Sequence, residues 1–285
     1  MPIELLKKPR KILHLNQVAK CHLKNPEPYA YLHKINGKFI QITEDGEMYS
    51  AEGNRVLEHI TLPKFSGGLR LAELKNVTNG DKSDGYSTAA LNRVKGVEKI
   101  PFRVYLFDVA VAGVSWKERY DALRESVTKD NRVIRLKIIQ EAPIAKAEEI
   151  GKKIIKNGWE GICGFKLSGE YPLESALAGI LVRNHEAIKV KEEVAAYGYI
   201  SGYTPGNLGL VGTVGSVTVQ LDSGGKVNIP GIPKKWRDRL LDIFETPTRL
   251  EVLKKTQVRV EGNSETVNKS IQNPKIGDWD WLKEI

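Results

Sequence analysis

Cysteine is nearly absent from this 285-residue chain. Its two cysteines, Cys21 and Cys163, are too few and too far apart for a zinc cluster or a disulfide framework, so both are expected to be reduced thiols. Long hydrophobic runs are missing as well, and no stretch approaches the length of a membrane span. The opening segment, Met1-Pro-Ile-Glu-Leu-Leu-Lys-Lys-Pro-Arg10, carries no apolar core of the signal-peptide kind. The expectation is a protein with no membrane attachment and a cytoplasmic location. No internal repeat and no low-complexity segment is present. Acidic residues are in deficit: 35 Asp and Glu face 44 Lys and Arg, a formal charge of +9, which favours polyanionic partners and nucleic acid first. Hydrophobic residues make up 41% of the chain, compatible with real cores in two modest domains or one large one.

The chain is organised around AYLHKINGKF, Ala30 to Phe39. Phe39-Ile-Gln-Ile-Thr43 and Met48-Tyr-Ser50 are β-rich runs separated by Glu44-Asp-Gly-Glu47, which predicts a hairpin with an Asp-Gly turn. Lys34 lies just before it and is the candidate nucleophile. Gly37 would let the backbone bring a phosphorylated ligand close to that lysine. The same pattern also fits a solvated loop lysine, and spacing alone does not choose.

Leu71-Ala-Glu-Leu-Lys75 reads as a strand with one buried face around Glu73. Residues 76–95 read as a polar surface excursion with a short helix. Pro101-Phe-Arg-Val-Tyr-Leu-Phe-Asp-Val-Ala110 is a nearly continuous apolar strand, and a strand-end site would account for the charge of Asp108 within it. Ser115-Trp-Lys-Glu118 is a capping box that starts a helix to about Val127. A second helix spans Ala145 to Asn157 with Gly158 as its stop, and Trp159-Glu-Gly-Ile-Cys-Gly-Phe-Lys166 follows as a short strand opening on a carboxylate. Ala187-Ile-Lys-Val-Lys191 places Lys189 and Lys191 on one strand face. Two ammonium groups so close suit an anion between them, or a solvated edge strand that uses lysine to block aggregation.

Beyond Glu192 the chain turns to short glycine-rich strands, at Ala195 to Ile200, Gly209 to Leu221 and Lys226 to Ile229, with a hairpin turn at Asp222-Ser-Gly-Gly225. A helix from Pro233 shows Trp236, Leu240 and Phe244 on one face, and further strands are predicted around Leu250 to Leu253 and Thr256 to Val260. This is the pattern of a small OB-type barrel.

In order and spacing these pieces resemble the ATP-dependent DNA ligases of minimal, viral type, members of the covalent nucleotidyltransferases, over nearly the whole chain. Lys34-Ile-Asn-Gly37 resembles the nucleophile motif Lys-x-Asp-Gly, and Leu71-Ala-Glu-Leu74 the strand whose Glu73 holds the ribose. Leu106-Phe-Asp-Val109 resembles the strand whose aromatic, here Phe107, stacks on adenine. Glu160-Gly-Ile162 looks like the Glu-Gly motif that serves the metal and the lysine, and Ile188-Lys-Val-Lys191 like the Lys-x-Lys motif that binds the α-phosphate. Gly209 to Val219 and Lys234-Lys-Trp-Arg-Asp-Arg239 are similar to the ligase OB domain.

The resemblance implies an α+β fold: a nucleotidyltransferase domain of antiparallel sheets and helices over residues 1–192 and an OB-fold β-barrel over residues 193–285. It implies a monomer that seals nicked duplex DNA, with ATP as AMP donor to Lys34 and Mg²⁺ as the metal. Leu32, His33, Gly37, Glu73, Phe107, Glu160, Lys189 and Lys191 would hold the nucleotide, and Glu160 and Asp108 the metal. Ser50, Arg55, Lys234, Lys235 and Arg237 would meet DNA. Mg²⁺, Lys189 and Lys191 would depress the pKa of Lys34.

There are departures. Asn36 stands where DNA ligases have Asp, Phe39 where many have Arg, and Ser50-Ala-Glu-Gly53 aligns with Ser-Arg-x-Gly. Ser270 to Trp279 resembles the last motif region without its Arg and Lys, and Lys166 falls one residue late. Lys38, Arg55, Lys275 and Lys283 are candidate substitutes. Two other readings stay open: an RNA ligase, which tolerates a non-Asp residue before the glycine, and a degenerate ligase fold that binds nicked nucleic acid without sealing it.

Overall fold

A computed structural model describes residues 4–58, 60–77, 101–127, 130–262, 269–271 and 274–285. The chain divides into two compact units, Met1–Lys191 and Glu192–Ile285. It is a mixed α+β protein, as the sequence predicts. Among the described residues no helix is long and apolar enough to cross a membrane.

The first unit begins with β1 (Leu13–His14), α1 (Lys20–Leu23), β2 (Pro28–His33), β3 (Lys38–Ile42), β4 (Met48–Ser50), β5 (Leu69–Asn76) and β6 (Phe102–Ala110). It continues through α2 (Trp116–Ser126), β7 (Val133–Arg135), β8 (Ile138–Pro143), α3 (Ala147–Lys156), β9 (Gly161–Lys166), α4 (Leu173–Ala178) and β10 (Ala187–Lys191). Two five-stranded sheets result, in the orders β1-β10-β9-β2-β8 and β4-β3-β5-β6-β7.

Strand periodicity decides how they pack. Along β2, Ala30 and Leu32 face the second sheet, with Ile40, Ala72, Leu74 and Leu106, whereas Tyr29 and Tyr31 face α3, with Ile150 and Ile154. A strand covered on both faces must be apolar throughout, and four of its six residues are completely buried. The fit of α3 to the sheet is tight at Gly151, where a Cβ would lie 2.5 Å from Val190 Cγ1. The capping box of α2 forms as expected, with the Ser115 N–H donating to Glu118 Oε2 at 3.0 Å, and Trp116 stacks on Phe165 at 5.1 Å. The predicted hairpin is present as β3 and β4, with Gly46 at φ +81° in its turn. One expectation needs correction: β5 is buried along almost its whole length rather than on one face, because cores lie on both of its sides. The predicted excursion at 76–95 lies outside the described residues beyond Val77.

The second unit carries β11 (Val194–Pro205), β12 (Val214–Leu221), β13 (Lys226–Ile229), α5 (Lys234–Glu245), α6 (Pro247–Lys255), β14 (Gln257–Gly262) and β15 (Lys275–Ile276), in a sheet ordered β13-β12-β11-β14-β15. Register shifts at Ile200/Gly202 and Thr204/Pro205 interrupt the long strand β11, as strands that curl toward a barrel require. Trp236, Leu240 and Ile243 of α5 fill the core, with Phe244 packed on Tyr203 at 4.5 Å. Leu250 to Leu253 is helical, not a strand: Pro247 occupies the first turn of α6, where its missing N–H has no partner to lose, and the helix carries past both residues.

Candidate active site

Three strands of the first sheet end at one edge. His33 on β2 lies opposite Ile162 on β9, and Gly161 lies opposite Lys191 on β10. Lys34 therefore leaves β2 beside the entrance to β9, and its backbone N–H donates to the Gly161 carbonyl at 2.9 Å. Only glycine suits position 161: φ is +148°, and a Cβ would lie 2.1 Å from the Val190 carbonyl oxygen. Glu160, next to it, faces the lysine, and Lys34 Nζ donates to Glu160 Oε1 at 2.5 Å. His33 stacks on Trp159 at 3.9 Å and fixes the same edge.

The second sheet supplies Glu73, which sits on β5 between Phe39 on β3 and Tyr105 on β6. The chain leaving Lys34 crosses β5 at Gly37, where a Cβ would come within 2.7 Å of the Leu74 carbonyl oxygen and 3.2 Å of Glu73 Oε2. The close neighbour that demands glycine here is thus the backbone of β5. Glu73 Oε2 and Glu160 Oε2 are both buried with no hydrogen-bond partner. Orphaned carboxylate oxygens are costly and are retained where something else satisfies them.

Between these groups lies a cavity of about 910 Å³. Of the anticipated nucleotide residues, Leu32, His33, Lys34, Glu73, Phe107 and Lys189 line it. Its floor is aromatic: Phe107 lies 6.3 Å from Phe39 and 6.0 Å from Phe165, centroid to centroid. Lys189 sits opposite Cys163 on the neighbouring strand, and Lys191 lies at the edge opposite Gly161, outside the lining. Sequence reasoning missed the wall built by Lys7 to Ile12 with Tyr171 and Arg183. The signal was present in Lys7-Lys8-Pro9-Arg10-Lys11, read only for its lack of apolar character.

The electrostatics run against one expectation. Burial pulls the Lys34 ammonium down, but the Glu160 carboxylate, with smaller help from Cys163 and Glu73, outweighs it and holds the lysine above its ordinary value. In the protein alone the repulsion between Lys34 and Lys189 is outweighed by Glu160. Burial pushes Glu73 up to about 7, with Lys34 opposing and Glu160 reinforcing. The Cys163 thiol, buried beside them, is pushed up to about 12 and stays protonated. Burial, with Lys34 and Arg183 nearby, lowers Lys189.

Asp108 is corrected as a metal ligand. Its Oδ1 accepts from Arg119 Nε at 2.8 Å, and its Oδ2 accepts from Arg119 Nη2 at 3.3 Å and Arg10 Nη2 at 3.2 Å. Two buried guanidinium groups balance the charge inside that apolar strand.

No protein-family model and no curated protein matches the sequence. Solved structures do match. A Lig E DNA ligase from a structure-function study of DNA binding with a minimal scaffold superposes with a TM-score of 0.69 at 17% identity, over 95% of this chain and 98% of that one. Pmar-Lig_PreS3 superposes with a TM-score of 0.71 at 14% identity, over 96% of this chain and 68% of that one. This chain has the fold of a Lig E DNA ligase.

On the ligase fold, the residues expected to meet DNA fall into different situations. Ser50 is buried, and its hydroxyl donates to Glu52 Oε2 at 2.7 Å. Arg55 pairs with Glu47 at 2.9 Å. In the second unit Lys234 is exposed, and Lys235 reaches Asp280 at 3.3 Å. Arg237 is corrected: it is buried, and its guanidinium donates to the carbonyls of Val214, Gly215 and Pro230. It holds α5 to β12 and presents no charge to a partner. Lys166 pairs with Glu27 at 2.8 Å and is absent from the cavity lining.

Proposed function

We propose that this chain is an ATP-dependent DNA ligase that seals nicks in duplex DNA through a lysyl-AMP on Lys34, with residues 1–192 as the nucleotidyltransferase domain and residues 193–285 as an OB domain that grips DNA. One observation carries the reading: Lys34 lines a nucleotide-sized cavity with an aromatic floor and is paired behind that lining with Glu160 at 2.5 Å, in a chain of ligase fold.

In this reading adenine stacks on Phe107 beside Leu32 and His33, and a ribose hydroxyl donates to the orphaned Glu73 Oε2. The Lys34 ammonium must first lose its proton. The free amine attacks the α-phosphorus, a P–N bond forms, the bond to the β-phosphate oxygen breaks, and pyrophosphate leaves. The 5′-phosphate of the nick then attacks the same phosphorus, and Lys34 departs and regains a proton. Finally the 3′-hydroxyl displaces AMP. Lys189 and Lys191 stabilise charge that builds on the non-bridging oxygens.

Mg²⁺ fits Glu160, whose Oε2 is buried without a partner; a single carboxylate together with phosphate oxygens is an ordinary donor set for this ion. It would supply neutralisation of phosphate charge. The protein acts as a monomer in this reading.

The test is incubation with ATP, Mg²⁺ and a nicked duplex carrying a labelled 5′-phosphate, read on a denaturing gel. Sealed product is expected. A duplex bound but left nicked, with no DNA-adenylate, would favour a ligase fold that binds without sealing, and preferential sealing of nicked RNA would favour an RNA ligase.

A further inference from the structure

The N-terminal segment is tied down along its length. The Leu6 N–H donates to Gln41 Oε1 at 2.8 Å, the Lys8 N–H to the Ala176 carbonyl at 3.0 Å and the Lys11 N–H to the Val182 carbonyl at 3.2 Å. β1 then pairs in parallel with β10, placing His14 beside Lys189. The segment is a strap that joins both sheets across one side of the cavity, and its position there is fixed by backbone hydrogen bonds together with the side chains of Gln41 and Arg10.

The charges on this side do not balance. Arg10 and Arg119 share the single carboxylate of Asp108. Lys8, Lys11, Arg183 and Lys189 all line the cavity, and among the described residues no carboxylate lies within ion-pairing distance of any of them. The other acids in the lining are engaged or deep: Glu52 is held by the Ser50 hydroxyl, and Glu73 is on the buried strand β5. The basic residues singled out elsewhere differ, since Arg55 pairs with Glu47 at 2.9 Å, Lys275 with Glu261 at 3.5 Å and Lys283 with Asp280 at 2.9 Å. Unpaired cations gathered around one concavity repel one another until an anion joins them.

We propose that Lys8, Lys11 and Arg183 form an anion-binding rim that takes the β- and γ-phosphates of the nucleoside triphosphate. The arrangement selects the triphosphate over a nucleic-acid strand. All three side chains are exposed, whereas the aromatic floor of the same cavity lies inside, so a nucleotide with its base on that floor carries its phosphates outward to the rim. Position 39 holds a phenylalanine packed on Phe107 and supplies no charge. The strap, whose Leu5 and Leu6 pack in one cluster with Phe39, supplies positive charge on this side. The triphosphate assignment rests on the ligase reading; the anion site itself does not.

The experiment measures binding of inorganic tripolyphosphate, ATP and AMP to the full chain by calorimetry, for the wild type, a Lys8→Gln/Lys11→Gln double variant and Arg183→Gln. Tripolyphosphate should bind the wild type and compete with ATP. Each variant should weaken both ligands on the order of tenfold, as loss of charge-assisted contacts does, and leave AMP within about twofold. Lys8→Arg/Lys11→Arg should restore binding, which a merely misfolded strap would not allow. Equal losses for ATP and AMP, no tripolyphosphate binding to the wild type, or unchanged ATP binding with weakened binding of nicked DNA would overturn the proposal. Tripolyphosphate binding that is lost in the variants, in a protein that never becomes adenylylated, would leave the rim standing and remove the ligase reading instead.

Discussion

Glu73→Gln keeps the shape of a buried side chain and removes its charge. In the folded protein burial raises this carboxyl from 4.5 to about 7, after Lys34 and Lys189 have opposed the rise and Glu160 has added to it. The folded state therefore holds the proton more tightly than the unfolded state, and stability falls as pH climbs through the window from 4.5 to about 7. At about 1.4 kcal/mol per pH unit, ionised Glu73 costs the first unit about 3 kcal/mol at pH 8. The glutamine variant escapes that cost. It should be more stable than the wild type by up to about 3 kcal/mol at pH 8 and nearly equal to it at pH 4. Native-state hydrogen exchange of the β5 and β6 amides reads this directly, because it reports the first unit separately from the second. A stabilised variant that binds ATP poorly would identify Glu73 as a residue kept for its ligand at the expense of the fold. Equal stability of the two proteins at pH 8, or a less stable variant, would refute the reasoning.

Asp108→Asn should destabilise the first unit by roughly 3 to 5 kcal/mol, because Arg10 and Arg119 are left buried without a countercharge, and it should not change the Mg²⁺ concentration needed for half-maximal activity; thermal unfolding and a metal titration check both. Arg237→Met should cost the second unit about 3 kcal/mol by leaving the Val214, Gly215 and Pro230 carbonyls unsatisfied, yet leave the salt dependence of DNA binding unchanged, since that guanidinium meets no phosphate. Glu160→Gln removes the charge that raises Lys34 and leaves burial, which lowers it. Self-adenylylation in that variant should be slower, with its acid limb at lower pH than in the wild type; a limb that stays in place or moves up would contradict the Lys34–Glu160 coupling.

The parts of the fold that sequence made legible are those governed by local chemistry. The α2 capping box, the β3–β4 turn, the Gly158 stop and the alternation of Lys189 and Lys191 each depend on residues a few positions apart. The parts that were not legible depend on distant partners. Asp108 looks like a site carboxylate until Arg10 and Arg119 arrive from 98 and 11 residues away. Arg237 looks like a DNA contact until three carbonyls close around it. Leu250 to Leu253 has the residues of a strand, but Pro247 starts a helix before them. Glu160 and Lys34, 126 residues apart, were assigned through a family pattern, and the geometry adds what the pattern lacks: their separation of 2.5 Å and the direction in which the carboxylate moves the amine. The strap went unread because a short basic run at a chain end has no period and no motif, and its meaning comes from the wall it completes.

The central claim is that Lys34 becomes covalently adenylylated and passes AMP to a nick. It is tested most directly by incubating the protein with α-labelled ATP and Mg²⁺, following label retained on the protein in a denaturing gel, and then adding an excess of nicked duplex DNA. The account predicts a labelled band in the wild type that maps to the peptide containing Lys34, disappears as sealed DNA forms, and is absent from Lys34→Ala. A band of undiminished intensity in Lys34→Ala, or label on the wild type that nicked DNA does not discharge, would contradict it.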